Sequence, residues 1–366
     1  AMAPCFQLLN DILNYHKILF NIKDKIITFV LMKLLRKILV PLNPVYFLFV
    51  RLRNKAYDWG LFKSKSYDFP VICVGNLSMG GTGKTPMVEY LIRLLESTKT
   101  VAVLSRGYGR KSQGFVLADS NSNNNTLGDE PFQIKSKFPG AIVAVDNDRQ
   151  HGIACLQAMN HPPKIILLDD AFQHRRVQAG FSVLLTPYND LYCDDIVLPA
   201  GNLREPRSGA QRAQIVVVTK CPNSLSNAEK NVIQRRLKLN SNQQLFFSSI
   251  VYDNFIYSDQ EKESIQTLKN KNFTLVTGIA NATPMVDYLK HLGLKFEHLS
   301  FPDHHTFSKK ELELIASKPL VLTTEKDTSR LQSLVHKDLY FLPITLELDA
   351  SEKFETALQN FIKKSD

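Results

Sequence analysis

The stretch VICVGNLSMGGTGKTP, residues 71–86, does most to limit what this chain can fold into. Val71, Ile72, Cys73 and Val74 form a short apolar run suited to a strand covered on both faces. Gly80, Gly81 and Gly83, with Thr82 between them, remove Cβ atoms that would keep backbone N–H groups from converging on an anion. Lys84 adds a charge that reaches β- and γ-phosphates, and Thr85 offers a hydroxyl to Mg²⁺. A helix over residues 87–96 points its positive end at the same place. The usual phosphate-loop pattern is G-x-x-x-x-G-K-[ST]; here Ser78 stands at the first glycine, with the rest of the pattern intact. The expectation is an α/β fold built around a phosphate-loop nucleotide-binding domain.

The chain has 366 residues, room for about two domains. Its 44% apolar and 22% charged content is that of an ordinary globular protein. Five scattered cysteines form no C-x-x-C pair, which argues for a reducing compartment and against a zinc site or disulfide framework. The net charge of +10 is concentrated early: residues 1–69 carry eleven lysines and arginines against four acids. No helix-turn-helix, finger spacing or RNP-like aromatic motif accompanies that charge, so an anionic surface is expected as partner, and no nucleic acid.

Residues 1–31 read as an extension outside the fold, with a natural start expected near Met32. Residues 32–69 read as basic amphipathic helices at a membrane interface. Lys33, Arg36 and Lys37 share one helical face; Leu34, Leu35, Ile38 and Leu39 share the other. Ordinary packing on the domain is the competing reading, and both hold if the two faces differ. Residues 26–32 and 38–50 are uncharged, but neither run reaches the ~18–20 residues of a bilayer span.

Residues 70–245 are expected to form the phosphate-loop domain, residues 246–345 a second α/β domain, and residues 346–366 a C-terminal helix packing back on the first domain. Strand 101–104 leads into the basic, glycine-bearing loop Ser105-Arg106-Gly107-Tyr108-Gly109-Arg110, where ligands bind in open α/β sheets. Gly128-Asp129-Glu130-Pro131 opens a helix, with Asp129 most simply an N-terminal cap. Residues 164–168 end in Asp169-Asp170, a Walker B-like element; two adjacent carboxylates are rarely needed for packing, and burying them unpaired is costly. Val218-Thr219-Lys220-Cys221-Pro222 approaches the guanine-reading [NT]-K-x-D element, but Pro222 replaces its acid and no D-x-x-G follows Asp169, which disfavours a signalling GTPase. His304, in Pro302-Asp303-His304-His305, reads by itself as a solvated loop histidine.

Taken together, these strings resemble the tetraacyldisaccharide 4′-kinase family. The matching pieces are the phosphate loop, Ser105-Arg106-Gly107-Tyr108, Gly128-Asp129-Glu130-Pro131, Asp169-Asp170-Ala171-Phe172-Gln173-His174, Pro199-Ala200-Gly201-Asn202-Leu203-Arg204-Glu205-Pro206, Phe301-Pro302-Asp303-His304 and Thr324-Glu325-Lys326-Asp327. The DD-x-FQH and PAGNLREP strings are the specific ones; the family tolerates a hydroxyl residue at Ser78, and Ala171 replaces a glycine often found there.

The resemblance implies two α/β/α units with a cleft between them. It implies phosphoryl transfer from ATP, with Mg²⁺, to the 4′-hydroxyl of a tetraacylated glucosamine disaccharide 1-phosphate, by a membrane-associated monomer on the cytoplasmic side of a Gram-negative inner membrane. Gly80, Gly81, Thr82, Gly83, Lys84, Thr85, Gln173, Arg204 and Glu205 would serve the nucleotide, and Thr85 and Asp169 the metal. Asp129 would be the base, partnered by His304, with Asp170 and Asp303 as further catalytic candidates. Asn76, Arg106, Arg149 and His174 would meet the lipid substrate. The competing readings are a phosphate-loop kinase of a soluble sugar or alcohol, and a membrane-associated ATPase switch that phosphorylates nothing.

Overall fold

The computed structural model describes residues 38–303, 305–331 and 338–365. The expected extension, the start near Met32, the first leader helix and His304 fall outside the described residues.

Helix α1 (Asn43–Asp58) leads to β1 (Val71–Asn76), α2 (Lys84–Leu95), β2 (Val101–Ser105), β3 (Val116–Leu117), the single turn α3 (Asn124–Leu127) and α4 (Asp129–Lys137). Then come β4 (Ile142–Val145), α5 (Arg149–Gln157), β5 (Ile165–Asp169), β6 (Phe181–Pro187), β7 (Ile215–Thr219), α6 (Asn227–Leu237) and β8 (Gln244–Tyr252). These strands, joined by β15 (Ile344–Leu348), form a nine-stranded sheet ordered β15-β8-β7-β6-β1-β5-β2-β4-β3. All neighbours are parallel except the edge strands β3 and β15. Central β1 is buried along its whole length, as its unbroken apolar run requires.

Alternate residues of β1 feed two cores. Ile72 and Val74 join Met87, Leu91 and Ile92 of α2 on one face; Val71 and Cys73 join Ile153 of α5 and Ile233 of α6 on the other. Phe354, Leu358 and Ile362 of the C-terminal helix α10 (Ser351–Ser365) complete the α2 face, so this helix lies on the first domain.

The second domain has a six-stranded sheet. Its strands are β9 (Phe255–Tyr257), β10 (Lys262–Ser264), β11 (Phe273–Thr277), β12 (Phe296–Ser300), β13 (Val321–Thr324) and β14 (Leu339–Leu342), ordered β10-β9-β14-β13-β11-β12. Helices α7 (Thr283–His291), α8 (Lys309–Ala316) and α9 (Glu325–Leu331) cover it, with Met285, Leu289 and Ile315 buried.

The boundary expected after residue 245 falls inside β8. That strand stays in the first sheet through its pairing with β7 and β15, because the unpaired edge of β7 is satisfied only by a full strand. The chain crosses into the second domain after Tyr252 and returns just before Ile344, residues that face each other in the β8–β15 ladder. Asp253 N–H donates to Pro343 O at 3.1 Å, so the two crossings run side by side as a narrow ribbon.

Candidate active site

The carboxyl ends of β1, β5 and β2 meet where the connections from β1 diverge, the place where open α/β sheets bind ligands. Gly75 lets two loops approach there: a Cβ on it would lie 2.6 Å from Phe172 Cβ. The phosphate loop is held from both sides. Met79 N–H donates to Asn202 O and Arg204 N–H to Leu77 O, each at 2.8 Å. Thr219 Oγ1 donates to Thr82 O at 2.8 Å and Lys220 Nζ to Gly81 O at 2.5 Å. Gly80 and Gly83 have φ of 104° and 88°, so they need to be glycine. Ser78 does not: it sits in an antiparallel bridge with Leu203, outside the left-handed region. Gly83 then caps α2, which opens with Lys84 and half-buried Thr85.

The two acids at the end of β5 have different surroundings. Asp169 is buried; Oδ2 accepts from Ser105 Oγ at 3.1 Å, and Oδ1 has no hydrogen-bond partner. Burial, reinforced by the neighbouring Asp170 charge, pushes its carboxyl up to about 6. A buried carboxylate oxygen lacking a donor, next to a half-buried threonine at a helix start, fits a hard cation. Among the described residues no group of three or more His, Cys, Asp or Glu side chains could hold a metal. That suits Mg²⁺, which takes one or two protein carboxylates and completes its shell with phosphate and water.

Asp170 is left-handed, with φ 48°, an uncommon conformation for a non-glycine residue and a frequent one at functional turns. Both of its oxygens accept from Arg204 Nη1, at 2.9 and 3.1 Å, and Lys84 Nζ lies 3.7 Å away. Asp170, Lys84 and Arg204 thus form one charged cluster above the loop.

Arg149 begins α5 and is almost wholly buried without a carboxylate partner. Its Nη1 donates to Asp146 O at 3.0 Å and Asn147 O at 3.3 Å, and its Nε has no partner. His174 lies close enough for burial, and then the Arg149 charge, to push its imidazole down to about 4; its Nε2 is likewise buried without a partner. Exposed Arg106 adds a further positive charge close to Arg149. These three residues gather positive charge around a buried guanidinium whose Nε donor has no partner.

Asn76, Gln173 and Glu205, expected as ligand contacts, are bonded into the frame of the site. Asn76 is completely buried and donates to Thr82 Oγ1 at 2.7 Å, bracing the loop from beneath. Gln173 Nε2 donates to Asn76 O at 2.7 Å and Glu205 Oε1 at 3.0 Å. Glu205 is buried and accepts from Arg212 at 2.8 and 2.9 Å and from Asn54 of α1 at 2.9 Å. A carboxylate so fully committed to cations and amides inside the protein repels phosphate and has no donor for it.

Asp129 is the first residue of α4. Gly107 and Gly128, with φ of 70° and 90°, pack back to back: a Cβ on Gly128 would lie 2.7 Å from Tyr108 O. This crossing fixes where α4 starts. Oδ2 of Asp129 accepts from Arg330 Nε at 3.1 Å and from Arg330 Nη2, across the cleft. Asp303 is 3.4 Å from Lys326 Nζ, which lies 3.4 Å from Glu130. Arg330 and Arg212 are absent from the sequence reading, and Ser105 and Lys220 enter it only inside quoted strings, with no site role. Arg330 lies three residues beyond the quoted Thr324-Glu325-Lys326-Asp327 string, the nearest available signal.

Helix α1 is tied to the same loops. Tyr46 Oη donates to Arg204 O at 2.9 Å, Arg53 to Gln173 O at 3.1 Å, and Asn43 to Val197 O at 3.0 Å. Its other face exposes Val45, Leu48, Phe49 and Leu52 in one stripe, with Val45 66% and Phe49 67% exposed; Trp59, Leu61 and Phe62 extend the apolar surface. Packing on the domain thus holds for one face of this segment, and the other face is apolar and exposed. Among the described residues no helix is long and apolar enough to cross a membrane.

A family model described as tetraacyldisaccharide-1-P 4′-kinase matches residues 35–363. The tetraacyldisaccharide 4′-kinase of Flavobacterium johnsoniae is 52% identical over 339 residues, covering 91% of this chain and 99% of that protein. That of Bacteroides thetaiotaomicron is 44% identical over 358 residues, covering 90% and 94%. The crystal structure of LpxK from Aquifex aeolicus in complex with ATP superposes with a TM-score of 0.72 at 31% identity, covering 90% of this chain and 99% of that one.

Proposed function

The chain belongs to the tetraacyldisaccharide-1-P 4′-kinase family, and from that premise we propose how its residues share the work of moving the ATP γ-phosphoryl group onto a lipid A precursor. The reaction is ATP-dependent phosphorylation of the 4′-hydroxyl of a tetraacylated disaccharide 1-phosphate. Phosphoryl transfer leaves little covalent work to the protein, so positioning and charge stabilisation dominate. The observation that carries the assignment is the pinned phosphate loop with an orphaned Asp169 oxygen on one side and the Asp170–Lys84–Arg204 cluster on the other.

Lys84 and the amides of residues 80–83 hold the β- and γ-phosphates. Thr85 and Asp169 would hold Mg²⁺, which would supply neutralisation of phosphate charge. Asp170 keeps Lys84 and Arg204 gathered where negative charge accumulates on the moving group. A sugar hydroxyl is a poor nucleophile at neutral pH, so Asp129 accepts its proton as the new bond forms, with His304 as partner and Asp303 beside it. Arg106, Arg149 and His174 receive the anionic end of the lipid; the Arg149 Nε donor, buried without a partner, favours a phosphate. Gln173 and Glu205 hold the frame and link it to α1.

The exposed stripe of α1 rests on the cytoplasmic leaflet of the inner membrane, with Arg51 and the lysines and arginines around it attracted to anionic headgroups. The acyl chains then stay in the bilayer while the sugar reaches the cleft, and a single copy of the chain supplies every residue named. The test supplies ATP labelled in its γ-phosphate, with the acylated disaccharide 1-phosphate in detergent. Label should enter the lipid, and Asp129→Ala should suppress it. Turnover to free phosphate alone would favour the ATPase switch; labelling of a soluble sugar would favour the other kinase.

A further inference from the structure

We propose that Arg330 is a positioning residue for Asp129, delivered by the second domain so that the base is oriented when the two domains are docked. The proposal rests on the reading of Asp129 as the base.

The guanidinium is held rigidly from its own domain. Its Nη1 donates to Asp327 Oδ1 at 3.1 Å and to Gly278 O at 3.4 Å. Asp327 is completely buried, and its Oδ2 accepts from Gly278 N–H at 2.8 Å and Thr324 Oγ1 at 2.7 Å. Gly278 directly follows β11, and a Cβ there would lie 2.9 Å from Asp327 Oδ1. This gives a physical role to the Thr324-Glu325-Lys326-Asp327 string: its last residue fixes the plane of the arginine one turn later. The opposite edge of the guanidinium, Nε and Nη2, meets Asp129 Oδ2 on the first domain. The pair is largely shielded from water, the Arg330 and Asp129 side chains being 9% and 20% exposed.

Helix α9 is aligned at its other end too. Lys137 Nζ lies 2.7 Å from Glu325 and 2.7 Å from Glu89 of α2, the helix that starts at the phosphate loop. Lys326 bridges Glu130 and Asp303. Among the described residues, Glu130 adjoins Asp129 on α4, α9 carries Lys326, Asp327 and Arg330, and Asp303 lies against Lys326. A carboxylate can accept the hydroxyl proton only when ionised, and a fixed guanidinium favours that form. Opening along the β8–β15 ribbon withdraws Arg330 and removes both the orientation and the charge.

The test compares kcat and kcat/KM against pH for the full chain and for Arg330→Ala, Arg330→Lys and Asp129→Ala, with ATP, Mg²⁺ and acylated disaccharide in detergent; thermal unfolding of each is followed in parallel. Arg330→Ala should lower kcat by at least about tenfold and leave the KM for ATP within about twofold, since it touches no nucleotide group. Its acid limb should move to higher pH, a change that a merely structural contact would not produce. Arg330→Lys should return the limb to its original place yet recover only part of kcat, because an ammonium keeps the charge but not the fork; it decides the matter if the alanine variant unfolds. Wild-type kcat together with an unmoved limb in the Arg330 variants, while Asp129→Ala is inactive, overturns this proposal alone. Full activity of Asp129→Ala overturns the base assignment, and this proposal with it.

Discussion

Replacing Asp169 with asparagine should make the metal-free protein more stable while abolishing its chemistry. Burial holds the Asp169 carboxyl at about 6, against an ordinary value of 3.8. A raised acid value means that the folded state binds the proton more tightly than the unfolded chain. The resulting penalty is complete above about pH 6 and is relieved as pH falls toward the unfolded value. The difference of about two units corresponds to about 3 kcal/mol. Asparagine keeps the volume and can accept from Ser105, but its amide donors enter a site where Asp169 Oδ1 has no partner, costing about 1 kcal/mol. The net gain is about 2 kcal/mol at neutral pH, shrinking to below about 1 kcal/mol near pH 5. Thermal unfolding of both proteins across this range, in chelator and then with ATP and Mg²⁺, measures it. Bound Mg²⁺ and ATP should reverse the order, because only the aspartate gains from the ion. An asparagine variant less stable than wild type in chelator at neutral pH would refute the reasoning that Asp169 is held under electrostatic strain for a cation.

Gly75→Ala should destabilise by about 1–3 kcal/mol, because its Cβ would sit 2.6 Å from Phe172 Cβ in a fully buried strand; denaturant unfolding reads it out. Lys84→Ala should cut phosphoryl transfer by at least about a hundredfold while vesicle binding is unchanged, as the hydrogen bonds that hold α1 go to Val197, Arg204 and Gln173 and not to Lys84. Leu48→Glu with Phe49→Glu should abolish sedimentation with anionic vesicles yet leave the unfolding temperature near wild type, since both side chains are exposed.

Much of the first domain was legible because its signals are local. The apolar run of β1, the glycines and Lys84-Thr85 lie within one short stretch, and strand, turn and helix follow from them. The Asp169-Asp170 pair was equally visible as two acids closing an apolar strand, though not the division between one orphaned and one paired with two cations. The frame was hidden. Glu205 looks like a site residue beside Arg204, but the fold turns it inward to Arg212 and Asn54, partners far apart in sequence or on another helix. Asn76 faces the interior for the same reason that β1 is buried. Nothing in the sequence pairs Arg330 with Asp129, because that contact exists only after two domains meet. The domain boundary was misplaced within β8 because composition does not reveal that β15 returns to pair with it.

The most direct measurement is the position of the phosphate on the product. The purified protein, ATP, Mg²⁺ and tetraacylated disaccharide 1-phosphate are incubated in detergent, and the lipid is analysed by phosphorus NMR and fragment mass spectrometry. One new monoester on the 4′-oxygen, absent when Lys84→Ala replaces wild type, is the expected result. ATP consumed with the lipid unchanged, or phosphate carried on a different oxygen, would contradict the account.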